Sequence, residues 1–156
     1  MTNTFSTTLT LSMIHRVSAI IVLLIITTFL LSSTYAELTD LNLLRSVKRY
    51  IALTLPVLVI LMGTTVITGQ RMGKSNSSVV RRKIKRMRII GLNGVMLISI
   101  ALILYLKVVR NEFDTTFWVL QTVEQVAGIS NIWLLTLMAR DGMLLSGRIK
   151  SRLAKA

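Results

Sequence analysis

Long apolar runs alternate with short polar, basic stretches along this chain. Residues 17–34, 50–70 and 89–106 carry no charge, and residues 115–139 carry one, Glu124. At about 1.5 Å of rise per residue, runs of this length cross a hydrocarbon core of roughly 30 Å. The pattern predicts an all-α integral membrane four-helix bundle, a single transmembrane domain over residues 1–156. Its helices are expected at about residues 12–35, 50–70, 88–107 and 115–140. The residues between the first two spans, 37–49, read as a mixed-charge outer loop with Glu37, Asp40, Arg45, Lys48 and Arg49. Pro56 lacks a backbone donor and is expected to kink the second helix. Gly63 and Gly69 on the second span, and Gly91, Gly94 and Ala101 on the third, offer small-residue faces for close helix approach.

Basic residues set the orientation. Eight of the nineteen Lys and Arg lie in the stretch 71–88 with no acid among them, and short loops this basic stay on the cytoplasmic side. With that loop and both termini inside, including Arg148, Lys150, Arg152 and Lys155 of the tail, fourteen Lys and Arg are cytoplasmic and five are outside. The expectation is a multi-pass protein of the inner (plasma) membrane with N and C termini cytoplasmic. A small-x-small triplet, Thr34-Tyr35-Ala36, has the form of a signal-peptide cleavage site, but the preceding apolar run exceeds the usual length of about 7–15 residues.

Composition narrows the chemistry. Hydrophobic residues make up 53% of the chain and the mean hydropathy is +0.67, beyond the range of an ordinary soluble domain. The net charge of +13 is gathered at helix ends, so its expected counter-charge is anionic lipid and not nucleic acid. With no cysteine and one histidine, no thiolate site, metal-hydrolase cluster or other protein-bound metal is expected from one copy. No catalytic residue is assigned.

Three groups of polar residues remain. Ser12, His15 and Arg16 mark the cytoplasmic end of the first span, with Ser12 and Arg16 on one helix face. A hydroxyl and a guanidinium at that depth suit a carbonyl or phosphate oxygen, and a histidine there can exchange protons near neutral pH. The plainer reading is a helix end whose Arg16 snorkels to lipid phosphate. Gln121, Glu124, Gly128 and Asn131, spaced 3, 4 and 3, form a polar stripe along the fourth helix. An ionised Glu124 facing lipid would cost several kcal/mol, so the stripe should face the bundle, either as a functional site or as a hydrogen-bonded packing seam. Arg16 and Asp141, at the same expected depth, are candidates for an ion pair joining the first and last helices.

The stretch Ser12-x-x-His15-Arg16-Val17-Ser18, entering a first transmembrane helix from the cytoplasm, resembles the opening of the cytochrome b membrane-anchor subunit of succinate dehydrogenase. In that family the serine and arginine of the motif line a ubiquinone pocket, which the resemblance carries to Ser12 and Arg16. Gly69-Gln70-Arg71 matches the Gly-x-Arg that follows the family's haem-ligand histidine by four residues, but Thr65 stands at the ligand position here. The resemblance covers about the first seventy residues, and the fourth helix lies outside the family's three-helix plan. It implies a small membrane subunit of a respiratory or electron-transfer complex, with quinone as its ligand, no haem b and no redox centre of its own. An accessory or assembly subunit that packs against a larger membrane complex without chemistry is the alternative, and a small ion or solute carrier using Glu124 is a further one.

Overall fold

The computed structural model describes the backbone of residues 2–72 and 78–145, and side chains over residues 10–71 and 85–143. These residues form four α-helices and no strand: α1 (Thr2–Thr39), α2 (Leu41–Met72), α3 (Ser78–Val109) and α4 (Thr115–Leu145). Three stretches, Thr10–Thr39, Leu41–Arg71 and Lys85–Val109, are long and apolar enough to cross a membrane. The centre of the basic loop, residues 73–77, and the basic tail from residue 146 onward lie outside the described residues.

All four helices are longer than the apolar runs that announce them. The outer loop expected over residues 37–49 is absent: a single non-helical residue, Asp40, separates α1 from α2. Its N–H donates to Ala36 O at 3.1 Å and its carbonyl accepts from Leu44 N–H at 2.9 Å, so the turn is closed by the ends of both helices. The physical reason is that charge alone does not end a helix. Residues 35–50 contain neither Gly nor Pro, the residues that break one. In the same way α3 begins at Ser78, inside the stretch expected to be a loop. α2 is helical straight through Pro56.

The α3–α4 connection is built from local rules. Asn111 takes the left-handed conformation (φ 59°), with Glu112 N–H donating to Lys107 O at 2.9 Å and Asn111 N–H to Val108 O at 3.2 Å. This is the paired bonding that closes a helix C-terminus with a left-handed residue. Asp114 then caps α4, its Oδ1 accepting from Phe117 N–H at 2.8 Å. Lys107 Nζ donates to both carboxylate oxygens of Asp114, at 2.9 and 2.7 Å, joining the end of α3 to the start of α4. Phe117 is wholly buried beneath this turn, edge-on to Phe113 and to Trp118, and Arg45 of α2 stacks over the Phe113 ring at 5.8 Å.

Each helix packs against its two neighbours around a square, α1 and α3 both touching α2 and α4, and among the described residues the backbones of diagonal helices do not approach closely. Cross-helix partners fix antiparallel directions: Ser18 with Thr65, Ser33 with Gln121, Asn93 with Ala127. Two apolar clusters fill the interior. Val22, Ile26, Ile51, Leu55, Leu58 and Ala101 occupy the middle, and Ala36, Leu44, Ile100, Leu104, Val108 and Phe117 the end where α1 meets α2. Gly94 is buried where a Cβ would stand 3.0 Å from Met62 Cε, whereas Gly63 and Gly91 face open space. The small-residue approach is therefore made at Gly94. Large apolar side chains cover the outside, on α4 as on the others: Val119, Val126, Ile129 and Trp133 are all exposed.

Candidate functional site

The interior holds a charged residue that the sequence pattern assigned to the surface. Lys48, on the second turn of α2, is 1% exposed. Its Nζ donates to Glu124 Oε2 of α4 in an ion pair. Lys48 lies seven residues into α2 and Glu124 nine into α4, which places both about 10–13 Å from the same end of the bundle. α2 and α4 are diagonal partners whose backbones do not approach closely among the described residues. The Lys48 side chain spans the gap through the core.

Around this pair α1 and α4 assemble a polar core. Glu37 Oε2 accepts from Gln121 Nε2 at 3.0 Å and from Gln125 Nε2 at 2.5 Å. Gln121 Nε2 also donates to Ser33 Oγ at 3.0 Å, and Glu37 lies within electrostatic reach of Lys48. Beneath these groups a cavity of about 70 Å³ is bordered by Ser33, Glu124, Gln125, Gly128 and Asn131 and by apolar side chains of α1, α2 and α3. Gln121 and Asn131 are 0% and 1% exposed, and among the described residues Gln121 Oε1 and Asn131 Oδ1 have no hydrogen-bond partner.

The stripe on α4 thus faces the bundle along its length: Gln121 and Asn131 are buried, Glu124 is half-buried and paired, and Gly128 is buried against Leu30. Lys48 and Glu37 escaped the sequence pattern because their charge marked them as loop. A signal existed in the spacing. Leu44, Lys48, Ile51, Leu55 and Leu58 run 4, 3, 4 and 3 apart, and Ile26, Leu30, Ser33 and Glu37 run 4, 3 and 4 apart, which puts each charged residue on the inward face of its helix.

At the opposite end of the bundle, α1 docks on α2 through His15 and Ser18. His15 Nδ1 lies 3.0 Å from Thr65 O and 3.1 Å from Thr68 Oγ1. A carbonyl can only accept, so Nδ1 carries the hydrogen in this arrangement. Thr65 Oγ1 lies 3.0 Å from Ser18 Oγ, which donates onward to Ile14 O at 2.8 Å. The His15 ring rests on Gly69, where a Cβ would stand 3.1 Å from its Cε1. Thr65 occupies the position of the haem ligand in the resemblance, and here its hydroxyl faces Ser18 Oγ.

Ser12 is half-buried and Arg16 is exposed. His15 is therefore drawn into the α1–α2 contact while Arg16 stands clear of it. An apolar groove of about 370 Å³ runs beside this junction, bordered by Met13, Ile14, Val17, Ser18, Ile21, Leu61 and Thr64. At about 100° per residue these α1 positions project to the far side of the helix from Ser12 and Arg16, so the groove is not an extension of that pair. The expected Arg16–Asp141 ion pair does not form. Asp141, 5% exposed, accepts from Arg86 Nη1 of α3 at 2.5 Å, because α3 packs directly beside α4 at this end.

Comparison of the chain with family models, with curated protein sequences and with solved structures finds no match.

Proposed function

We propose that this chain is a small membrane-anchor subunit of an electron-transfer complex, contributing Ser12, His15 and Arg16 to one wall of a quinone pocket completed by a partner subunit. In this reading all four helices cross the inner (plasma) membrane, with both termini cytoplasmic and anionic lipid headgroups against the basic ends. The observation that carries it is the contact between the two stretches on which the resemblance rests. His15 and Ser18 of the first stretch meet Thr65, Thr68 and Gly69 at the second, so residues fifty positions apart form one structural unit. The exposed apolar side chains of α4 favour a fourth crossing, since lipid is the solvent in which such a face carries no penalty.

The division of labour follows from geometry. Arg16 projects from the rim with its planar donor fork unburied, suited to a ring carbonyl presented from a neighbouring subunit or from the bilayer. Ser12, one turn earlier on the same face, can donate to the same oxygen. His15 keeps its Nδ1–H on the Thr65 carbonyl, which fixes the orientation of the ring that supplies a proton as the quinone is reduced. A carrier that uses Glu124 as a lone ion-binding acid gains no support, because Lys48 occupies that carboxylate.

The test is quinone-reductase titration of the assembled host complex. Arg16→Lys is expected to impair quinone-linked turnover, because a point-charge ammonium does not reproduce the guanidinium fork. Ser12→Ala is expected to cost about 1 kcal/mol, roughly fivefold. Unchanged affinity and turnover in both would leave an accessory subunit whose Arg16 binds only lipid phosphate.

A further inference from the structure

The polar core far from His15 carries an unbalanced charge. Two carboxylates, Glu37 of α1 and Glu124 of α4, face one ammonium, Lys48 of α2. Among the described residues of α3 no charged group lines the cavity: its share of the wall is Gly94, Leu97, Ile98 and Ala101. Arg45, the next cation on α2, is turned away onto Phe113. With both acids ionised the trio therefore holds a net charge of one negative unit in a region where charge is poorly solvated.

A second feature points to what neutralises it. Gln121 donates through Nε2 to Glu37, yet the oxygen of the same amide is wholly buried with no donor facing it. A carboxylic acid opposite a primary amide supplies the missing donor: it accepts the amide N–H on one oxygen and gives an O–H to the amide oxygen. Asn131 Oδ1, buried at the cavity wall, likewise lacks a donor. The cavity of about 70 Å³ has room for a few waters, each needing about 10–15 Å³, and Ser33, Glu124 and Gln125 give them partners on the way to Asn131.

We propose that this core is an intramembrane proton-binding site, in which the Glu37–Lys48–Glu124 trio holds one exchangeable proton and water in the cavity extends its hydrogen bonds to Asn131. Uptake forms one O–H bond on a carboxylate with a proton from the aqueous rim, where Glu37 sits in the last turn of α1, and makes the trio neutral. Release reverses the step, and no electron moves. The proton belongs to the coupled trio and not to one side chain. Ile26, Leu58 and Met62 belong to the apolar part of the cavity wall.

Infrared spectroscopy of the full-length protein in lipid nanodiscs, recorded across a pH series, tests this independently of any quinone activity. The chain has three glutamates, and the third, Glu112, is on an exposed turn. The unmutated protein is expected to show the carbonyl-stretch band of a protonated carboxylic acid that shifts on 13C-glutamate labelling and on exchange into D2O. Glu37→Gln or Glu124→Gln should abolish the band, and Lys48→Met should strengthen it, because two negative charges then require a second proton. Absence of a protonated-glutamate band in the folded, labelled wild type overturns the proposal, and that measurement stands even where a substituted chain does not fold. A band that ignores both glutamine substitutions in folded variants overturns it equally.

Discussion

At the scale of single residues, the Lys48–Glu124 pair is the costliest feature of the molecule to break. Removing one partner of a buried ion pair strands the other charge, at about 3–5 kcal/mol, whereas replacing both with apolar groups is often neutral. Lys48→Met is therefore expected to lower the unfolding midpoint in detergent, followed by circular dichroism, and Lys48→Met with Glu124→Leu to recover most of the loss. If the double substitution is as damaging as the single one, the pair is not the coupling between them. Two glycines on the helix contacts should behave in opposite ways. Ala is favoured over Gly inside a helix by about 1 kcal/mol. At Gly94 the new methyl would meet only Met62 Cε, a flexible tip that can turn aside, so Gly94→Ala should be neutral or stabilising. At Gly69 it would press on the His15 ring, held by Thr65 and Thr68, and Gly69→Ala should destabilise. Thermal midpoints of the two variants decide it, and a stabilised Gly69→Ala would show that His15 is not locked.

The elements are held in register by their ends, and the α3–α4 turn carries a contact that depends on pH. Asp114 accepts hydrogen bonds from Lys107 and from the Phe117 N–H, which hold its carboxyl below the ordinary value of 3.8. A folded-state pKa that is depressed stabilises the native form above the ordinary value, and that contribution is lost as pH falls through the folded value. The first turn of α4 should therefore fray at acid pH. Hydrogen exchange at the Phe117 amide would show it, with protection falling on acidification in the wild type. In Asp114→Ala the protection should be low already at neutral pH and insensitive to acid over the same range. Equal acid sensitivity in the two proteins would remove Asp114 as the cause.

For the whole molecule, the decisive question is which ends face which side. The asymmetry of fourteen against five basic residues leads us to expect that reporters placed at Ser78 and after Ala156 report cytoplasm, while one at Asp40 reports the opposite side. An external signal at Ser78 would reverse the topology. A cytoplasmic signal at Ser78 with an external one at Ala156 would take α4 out of the membrane, and with it the polar core that α4 completes.

The sequence by itself determined the number and order of the helices and the inward face of α4. Apolar runs of membrane-crossing length, the basic stretches between them and the 3, 4, 3 spacing of Gln121, Glu124, Gly128 and Asn131 are local properties, and local spacing fixes which side of a helix is polar. It does not fix which helix that side will meet. The sequence pairs Asp141 with Arg16 of α1, and the packed helices pair it with Arg86 of α3 instead. Lys48 and Glu124 are separated by 76 positions and lie on diagonally opposed helices. Their pairing exists because four helices closed around a common axis and brought two side chains at matching depth within reach of each other.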